Sequence, residues 1–296
     1  MEEPRETEPA GEKVDANLKA AGGEILPDAR SGLRLRGWAI ESRHRPILNS
    51  LARQQWEEKL GTSHLPEMVF GDSSLVLFHE ETGVKISFNA FDALREWKHE
   101  GLPPVEVPAA AKWKFRCNPS EKVILDYDYT FTTPYCGSET VDRDPEKLEA
   151  RDRNFSLCWE ESREGIDLVS LASKEPILFY DEVVLYEDEL ADSGVSLLTV
   201  KVRVMPNYWF LLLRFWLRVD GVLMRLRDTR LYCSFGSDPH TIPTILRESC
   251  WREVNFQDLS AQQGLSSDSA SYNDPNLIMQ RIPVIMKKTQ KLRFPG

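Results

Sequence analysis

Between Val200 and Tyr232 the chain reads VKVRVMPNYWFLLLRFWLRVDGVLMRLRDTRLY, and no other stretch restricts the fold as strongly. Val200, Val202 and Val204 alternate with Lys201 and Arg203, the period-two pattern of a half-buried strand. Pro206 ends that strand because it has no N–H to give a ladder. A second run starts at Tyr208 and stops at Asp220-Gly221. Asp-Gly between two apolar runs is the strongest short hairpin signal, since a type I′ turn needs positive φ at both loop positions. With those two residues as the loop, Val219 faces Val222, Leu217 faces Met224, Phe215 faces Leu226 and Leu213 faces Asp228. That row is apolar and belongs against a core. The other face then pairs Arg218 with Leu223, Trp216 with Arg225 as a cation–π contact, and Arg214 with Arg227. Opposed arginines repel unless an acid lies nearby, which makes this face a candidate site for a carboxylate or phosphate. The spacing of Arg214 and Arg218 also fits a helix, but the Asp-Gly break and the aromatic and β-branched content oppose it. A membrane helix would need about 20 apolar residues, and arginines interrupt this run.

The same stretch resembles the signature of the TIPRL family, the Tap-interacting regulators of TOR signalling. Further segments carry the likeness: LPEMVFGD from Leu65, FNAFDALREW from Phe88, DYTFTTPYCG from Asp128 and FYDEVVLYEDELADSGVSLLTVKVRVMP from Phe179. It extends from about Gly37 to Arg230 and more weakly to Pro295. The resemblance implies a protein without catalytic activity that binds the catalytic subunit of type 2A and related Ser/Thr phosphatases. It also implies links to TOR signalling and to Tap-type phosphatase subunits. Residue by residue, it implies phosphatase contact at Asp92 in the FNA-x-DAL motif and at Asp228 in R-x-x-DTRLY. Leu226, two residues before Asp228, and Ile166 in the Gly165-Ile166-Asp167 segment are implied in the same way.

Composition narrows the class independently. A chain of 296 residues with 41% hydrophobic and 28% charged residues suits a globular domain with a substantial core. A net charge of −10 disfavours a general nucleic-acid binder, which would be basic. The hairpin is locally basic, while Asp181 to Asp192 is acidic. Cys117, Cys136, Cys158, Cys233 and Cys250 form no CxxC pair, and an odd, dispersed set points to free thiols in a reducing compartment. The N-terminus is acidic and lacks an apolar segment, so no signal peptide is read and a cytoplasmic protein with nuclear access is expected.

Along the chain, residues 1–31 read as a disordered acidic tail, and residues 32–296 as a single α+β domain. Leu33, Leu35, Trp38 and Ile40 suggest a first strand. Asn49-Ser50 caps a helix that runs to Leu60 and stops at Gly61. Two alternating strands flank Glu81 to Gly83 as a hairpin. Asn89 caps a helix from Ala90 to about His99. Asp92, three residues past that cap, either satisfies the helix terminus or meets a partner. Lys122 to Thr133 is strand-like, and Ile177 to Tyr186 is a strand followed by a turn at Asp192-Ser193-Gly194. Mobile insertions are expected near 138–165 and 260–276. Thr244 to Glu253 reads as helical, and so does Asn276 to Lys291, although Pro283 interrupts the latter.

The five histidines have no metal-ligand spacing, no nucleotide or nucleophile-elbow motif is present, and the acidic run lacks the oxygen pattern of a calcium loop. No catalytic residue, metal or cofactor is therefore assigned. Asp228 either ends its strand solvated or bonded to Thr229, or stands exposed beside Leu226 for a partner's donor. The expected fold is α+β and β-rich, with two packed, mostly antiparallel sheets and a few peripheral helices. The leading reading is a regulator of type 2A-like phosphatases. Its partner residues are Asp92, Ile166, Leu226, Asp228, Arg214, Arg218, Arg225 and Arg227, and the arginines are suited to the phosphatase's C-terminal tail. The alternatives are a phosphate- or small-molecule-handling enzyme using Asp92, Asp228 and the arginines, and a scaffold for acidic peptides. No nucleic-acid or membrane partner is expected.

Overall fold

The computed structural model describes residues 10–27, 31–108, 122–125, 131–141, 157–236, 243–262, 266 and 269–293. Its strands are β1 Glu24–Ile25, β2 Ser31–Leu35, β3 Trp38–Arg43, β4 Met68–Val69, β5 Ser74–His79, β6 Val84–Asn89, β7 Lys98–His99, β8 Val105–Pro108, β9 Lys122–Leu125, β10 Phe131–Thr132, β11 Ser138–Val141, β12 Cys158–Glu161, β13 Phe179–Asp188, β14 Gly194–Val204, β15 Tyr208–Val219, β16 Leu223–Ser234, β17 Thr244–Asn255 and β18 Val284–Arg293. The helices are α1 Ala10–Ala20, α2 Ser50–Leu60, α3 Ala90–Arg95, α4 Leu168–Leu171, α5 Phe256–Ser260 and α6 Pro275–Ile278. Two antiparallel sheets dominate this α+β fold. One has the order β1-β2-β3-β5-β6-β11, the other β12-β18-β17-β16-β15-β14-β13-β4.

Period-two patterning explains the layers. In β5 and β6 every second residue is buried, so Leu75, Leu77, Val84, Ile86 and Phe88 form one apolar face. That face meets the inward row of the larger sheet, with Val200, Val202, Leu211, Leu213, Phe215, Leu217 and Leu231 in the same core. Trp38 and Trp209 meet edge to face across the layers, ring centroids 5.1 Å apart, a favoured aromatic geometry.

The hairpin at the centre of the larger sheet forms, but one residue out of the expected register. Its loop is Asp220-Gly221-Val222, and the pairs are Val219 with Leu223, Leu217 with Arg225, Phe215 with Arg227, Arg214 with Asp228 and Leu213 with Thr229. Only Gly221 has positive φ, at 72°, so the two-residue type I′ turn does not form. The Val222 N–H closes the turn on the Val219 carbonyl at 3.0 Å, and its side chain packs against the main core. The shift replaces a repulsive Arg214–Arg227 pair by an attractive Arg214–Asp228 pair. A two-residue loop with both φ positive occurs instead at Arg36 and Gly37, at 52° and 78°. It divides the expected first strand into β2 and β3.

Several other expectations are corrected. Thr244 to Glu253 is strand β17, held between β16 and β18. Most of the Asn276 to Lys291 segment is β18, with only the short α6 at its start. Tertiary pairing decides both, because neither segment buries a helical stripe but both supply a ladder. Within the expected tail, residues 10–27 form α1 and β1, and Leu18 and Leu26 are buried. Of the expected mobile insertions, β11 and β12 are sheet strands and Tyr272 is packed, while residues 142–156 lie outside the described residues. The Asn49 cap of α2 is as expected, accepting the Ala52 N–H at 2.9 Å, and Gly61 ends the helix at φ 67°.

Candidate functional site

Because side chains alternate along each strand, even-numbered residues of β15, β16 and β17 point to the outer face of the larger sheet, away from the smaller one. Two separate apolar clusters cover parts of that face. At one end Ile166, Met205, Tyr208, Tyr232 and Leu246 pack together. At the other end Leu259, Tyr272, Ile278 and Ile282 cover Trp216, Met224, Leu226 and Val254. Between these clusters, among the described residues, runs a strip, one row of which is Thr199, Arg214, Asp228, Cys250 and Lys287 in cross-strand register, with the first three buried and Lys287 exposed.

The floor of the strip is a buried ion pair. Arg214 Nε donates to Asp228 Oδ1 at 2.7 Å and Nη2 to Oδ2 at 2.8 Å. The Arg214 and Asp228 side chains are 10% and 3% exposed. The third arm, Nη1, donates to Asn276 Oδ1 of α6 at 2.7 Å, so the ion pair also anchors the C-terminal cover. A bidentate, charge-assisted geometry of this kind is strong and directional. Arg230 stands beside the pair, its Nη2 3.8 Å from Asp228 Oδ2. Asp228 is thus neither solvated nor bonded to Thr229; its hydrogen-bond partner, Arg214, lies across the hairpin.

Ile166 is 6% and Leu226 1% exposed, and the Ile166 N–H donates to Glu248 Oε1 at 3.0 Å. Both are supports beneath the surface. The exposed apolar groups are on the rims: Leu168 and Val169 of α4 at 67% and 83%, and Leu277 of α6 at 73%. Sequence reasoning missed all three. Asp167 held the signal for α4, since its carboxylate accepts the Val169 and Ser170 N–H groups at 3.0 and 3.1 Å. Hydrogen bonds from Ser170 hold the Asp167 carboxyl below its usual range.

The four arginines do not share a face, and the opposed pair behind the anion site is absent. Arg218 lies on the outer face, where its Nε is 2.9 Å from Asp220 Oδ1 as an ion pair, and Nη1 bonds Asn273 Oδ1. Arg225 and Arg227 point to the opposite side. Arg225 Nε donates to Glu253 Oε2 at 2.7 Å and Nη2 to Glu100 Oε2 at 2.8 Å. Burial disfavours its charge, but hydrogen bonds and charge from Glu253 and Glu100 outweigh that and raise its pKa. Arg227 Nη1 donates to the Thr133 carbonyl at 2.8 Å, and its guanidinium lies 4.3 Å from the centre of the Trp251 ring. Burial and then the neighbouring Arg225 lower its pKa. The cation–π contact expected for Trp216 and Arg225 is made by Arg227 and Trp251, because the shifted register puts Leu226 opposite Trp216.

Asp92 belongs to the smaller sheet and does not join the outer strip. Asn89 Oδ1 caps α3 by accepting the Asp92 N–H at 2.8 Å. The Asp92 carboxylate accepts from Asn89 Nδ2 at 2.8 Å and Ser138 Oγ at 2.7 Å, and pairs with Arg95 at 3.1 Å. Asn89 rather than the Asp92 carboxylate therefore takes the backbone N–H at this terminus, and the Asp92 side chain remains 20% exposed.

A serine, a histidine and an aspartate do meet between the sheets, where the Ser42 hydroxyl and His44 Nε2 both bond Asp181 Oδ2, the latter at 3.0 Å. Both converge on the acid, so the serine is not paired with the imidazole as a nucleophile–base relay requires. Among the described residues, no group of three or more His, Cys, Asp or Glu side chains is placed to hold a metal ion, and no helix is long and apolar enough to cross a membrane.

The family model described as the TIP41-like family matches residues 68–260, which include the central hairpin and both partners of the buried ion pair. The chain belongs to the TIP41-like family. This is the TIPRL family that the sequence segments resemble. An Arabidopsis thaliana TIP41-like protein is 64% identical over 94% of this chain and 96% of its own length. A Homo sapiens TIP41-like protein is 37% identical over 87% of this chain and 88% of its own. A Saccharomyces cerevisiae relative, 35% identical over 92% of this chain and 80% of its own, is named type 2A phosphatase activator TIP41. These relatives therefore match along most of both chains.

Proposed function

We propose that this protein is a non-catalytic regulator that binds the catalytic subunit of type 2A-like Ser/Thr phosphatases through the outer face of its larger sheet. The observation that carries the reading is the strip between the two apolar clusters, with its exposed rims. It has a polar floor built on the Arg214–Asp228 pair, and exposed apolar residues, Leu168, Val169 and Leu277, stand on its two rims. Exposed apolar groups around desolvated, fully paired charge are what a specific protein interface offers. The yeast relative's name, type 2A phosphatase activator, supplies the kind of partner. In this reading Asp228, Leu226 and Ile166 act from beneath, holding the rims in place, and Asp92 is a second contact on the other sheet. A place in TOR signalling, an association with Tap-type subunits and a cytoplasmic and nuclear location complete the reading. The phosphatase tail, for which the arginine face was invoked, has no such face to meet; the strip takes that part.

The test is titration of purified type 2A catalytic subunit with Leu168→Asp/Val169→Asp, Leu277→Asp and Asp92→Leu variants. Each rim variant should weaken binding about tenfold or more with unchanged melting. Rim variants that bind like the unaltered chain would sink the strip as the interface, and phosphoesterase activity that co-purifies with the protein and follows Asp228 would sink the non-catalytic assignment.

A further inference from the structure

Among the described residues, the larger sheet is open along part of one edge. Its outermost long strand is β18, and β12 covers that strand only from Gln290 to Arg293. The neighbouring Thr289 turns its carbonyl to the same side, accepting the Ser162 N–H at 3.0 Å. Backbone groups alternate sides along an antiparallel strand, so Lys287 also presents its N–H and C=O outward. Among the described residues no strand lies beside Val284–Lys288. Val284 and Ile285 are 47% and 57% exposed, and Ile285 is the extra residue where the ladder to β17 shifts register. Lys287 and Lys288 are both exposed and, being adjacent, sit on opposite faces.

Lysines and a bulge on an edge strand oppose pairing with a like strand. Two copies of this edge side by side would set lysine opposite lysine when parallel, which is destabilising, and lysine opposite Val284 and Ile285 when antiparallel. The same charges select a strand of opposite sign. In a chain of net charge −10, this basic edge is a local exception with a defined backbone template. We propose that Val284–Lys288 accepts an extended acidic segment of a partner protein as an added antiparallel strand. Its carboxylates lie opposite Lys287 and Lys288, and its apolar residues lie opposite Val284 and Ile285. Main-chain hydrogen bonds supply the affinity of such strand addition, and the side-chain pairs supply register. The proposal is independent of the phosphatase reading and of the outer strip.

The probe is a fluorescent, end-blocked peptide, Glu-Glu-Thr-Val-Val-Thr, titrated with the full chain by anisotropy at low salt. Saturable binding and slowed amide exchange at Lys287 are expected. Lys287→Pro removes an outward N–H and no hydrogen bond to β17, a position that tolerates proline. It should keep the melting temperature and weaken the peptide by about tenfold. Methylating the backbone nitrogen of the peptide's second glutamate should do the same to the unaltered chain, so the test survives if the proline variant fails to fold. Lys287→Glu with Lys288→Glu should abolish binding, as should lysine in place of glutamate in the peptide. Three results overturn the proposal: no binding at millimolar peptide, equal binding by the proline variant and the methylated peptide, or a dimer of the chain that the proline variant dissolves.

Discussion

Asp228→Asn is the substitution that most directly tests the observed hairpin register. In the structure its carboxylate is 3% exposed and takes two bonds from Arg214, at 2.7 and 2.8 Å. Removing one partner of a buried pair leaves the other charge desolvated, a loss of about 3–5 kcal/mol. Asparagine keeps one carbonyl oxygen for one guanidinium N–H, and Arg214 keeps Asn276, so the expected cost is near ~2–3 kcal/mol. For a domain of this size each kcal/mol lowers the melting temperature by roughly 2–4 °C, giving a fall of about 5–10 °C. The assay is a thermal melt with a urea titration, and the urea slope should be unchanged. The double variant Arg214→Met/Asp228→Leu removes both charges and fills the space with apolar atoms, so it should recover most of the loss. A single variant that melts with the unaltered chain would place Asp228 in solvent and refute the register. So would a double variant whose loss is the sum of the two singles, because coupled partners are not additive. Loss of phosphatase binding without loss of stability would make Asp228 a direct contact rather than a support.

Two further outcomes concern the core of the smaller sheet and its junction with the larger one. Gly137 has φ 104°, and a Cβ there would lie 2.7 Å from the buried Phe88 ring, so Gly137→Ala should cost ~2–3 kcal/mol, read as a lowered urea midpoint. Burial opposes the charge on Asp181, but bonds from Ser42, His44 and the Glu182 N–H outweigh it and hold its pKa below the ordinary 3.8. A depressed carboxyl stabilises the fold above its unfolded pKa and loses that contribution as pH falls through the folded one. The stability gap between the unaltered chain and Asp181→Asn should therefore be full at about pH 6 and narrow as pH falls below the ordinary 3.8 and the carboxyl protonates. A gap that stays constant across that range would show that Asp181 does not tie β13 to β3 through its charge.

The sequence by itself determined which segments could be elements and where several of them stop. Asn49 and Gly61 bound α2, Asn89 starts α3, and alternation in 74–79 and 84–89 specifies a hairpin with one buried face, because caps and period-two patterning act within a few residues. Family membership was also legible, since its segments are contiguous. The tertiary structure alone decided the rest. Whether Val222 joins the loop or the strand depends on the core it packs into, and that one residue moves Arg225 and Arg227 to the opposite face from Arg214. β17 and β18 became strands because a neighbouring edge was waiting for their backbone groups, which propensity does not register. Asp228 and Arg214 could each be read as binding groups until the fold set them against each other and beneath Asn276. The rims that stay exposed, Leu168, Val169 and Leu277, are ordinary apolar residues in sequence, and only the placement of α4 and α6 on the outer face leaves them uncovered.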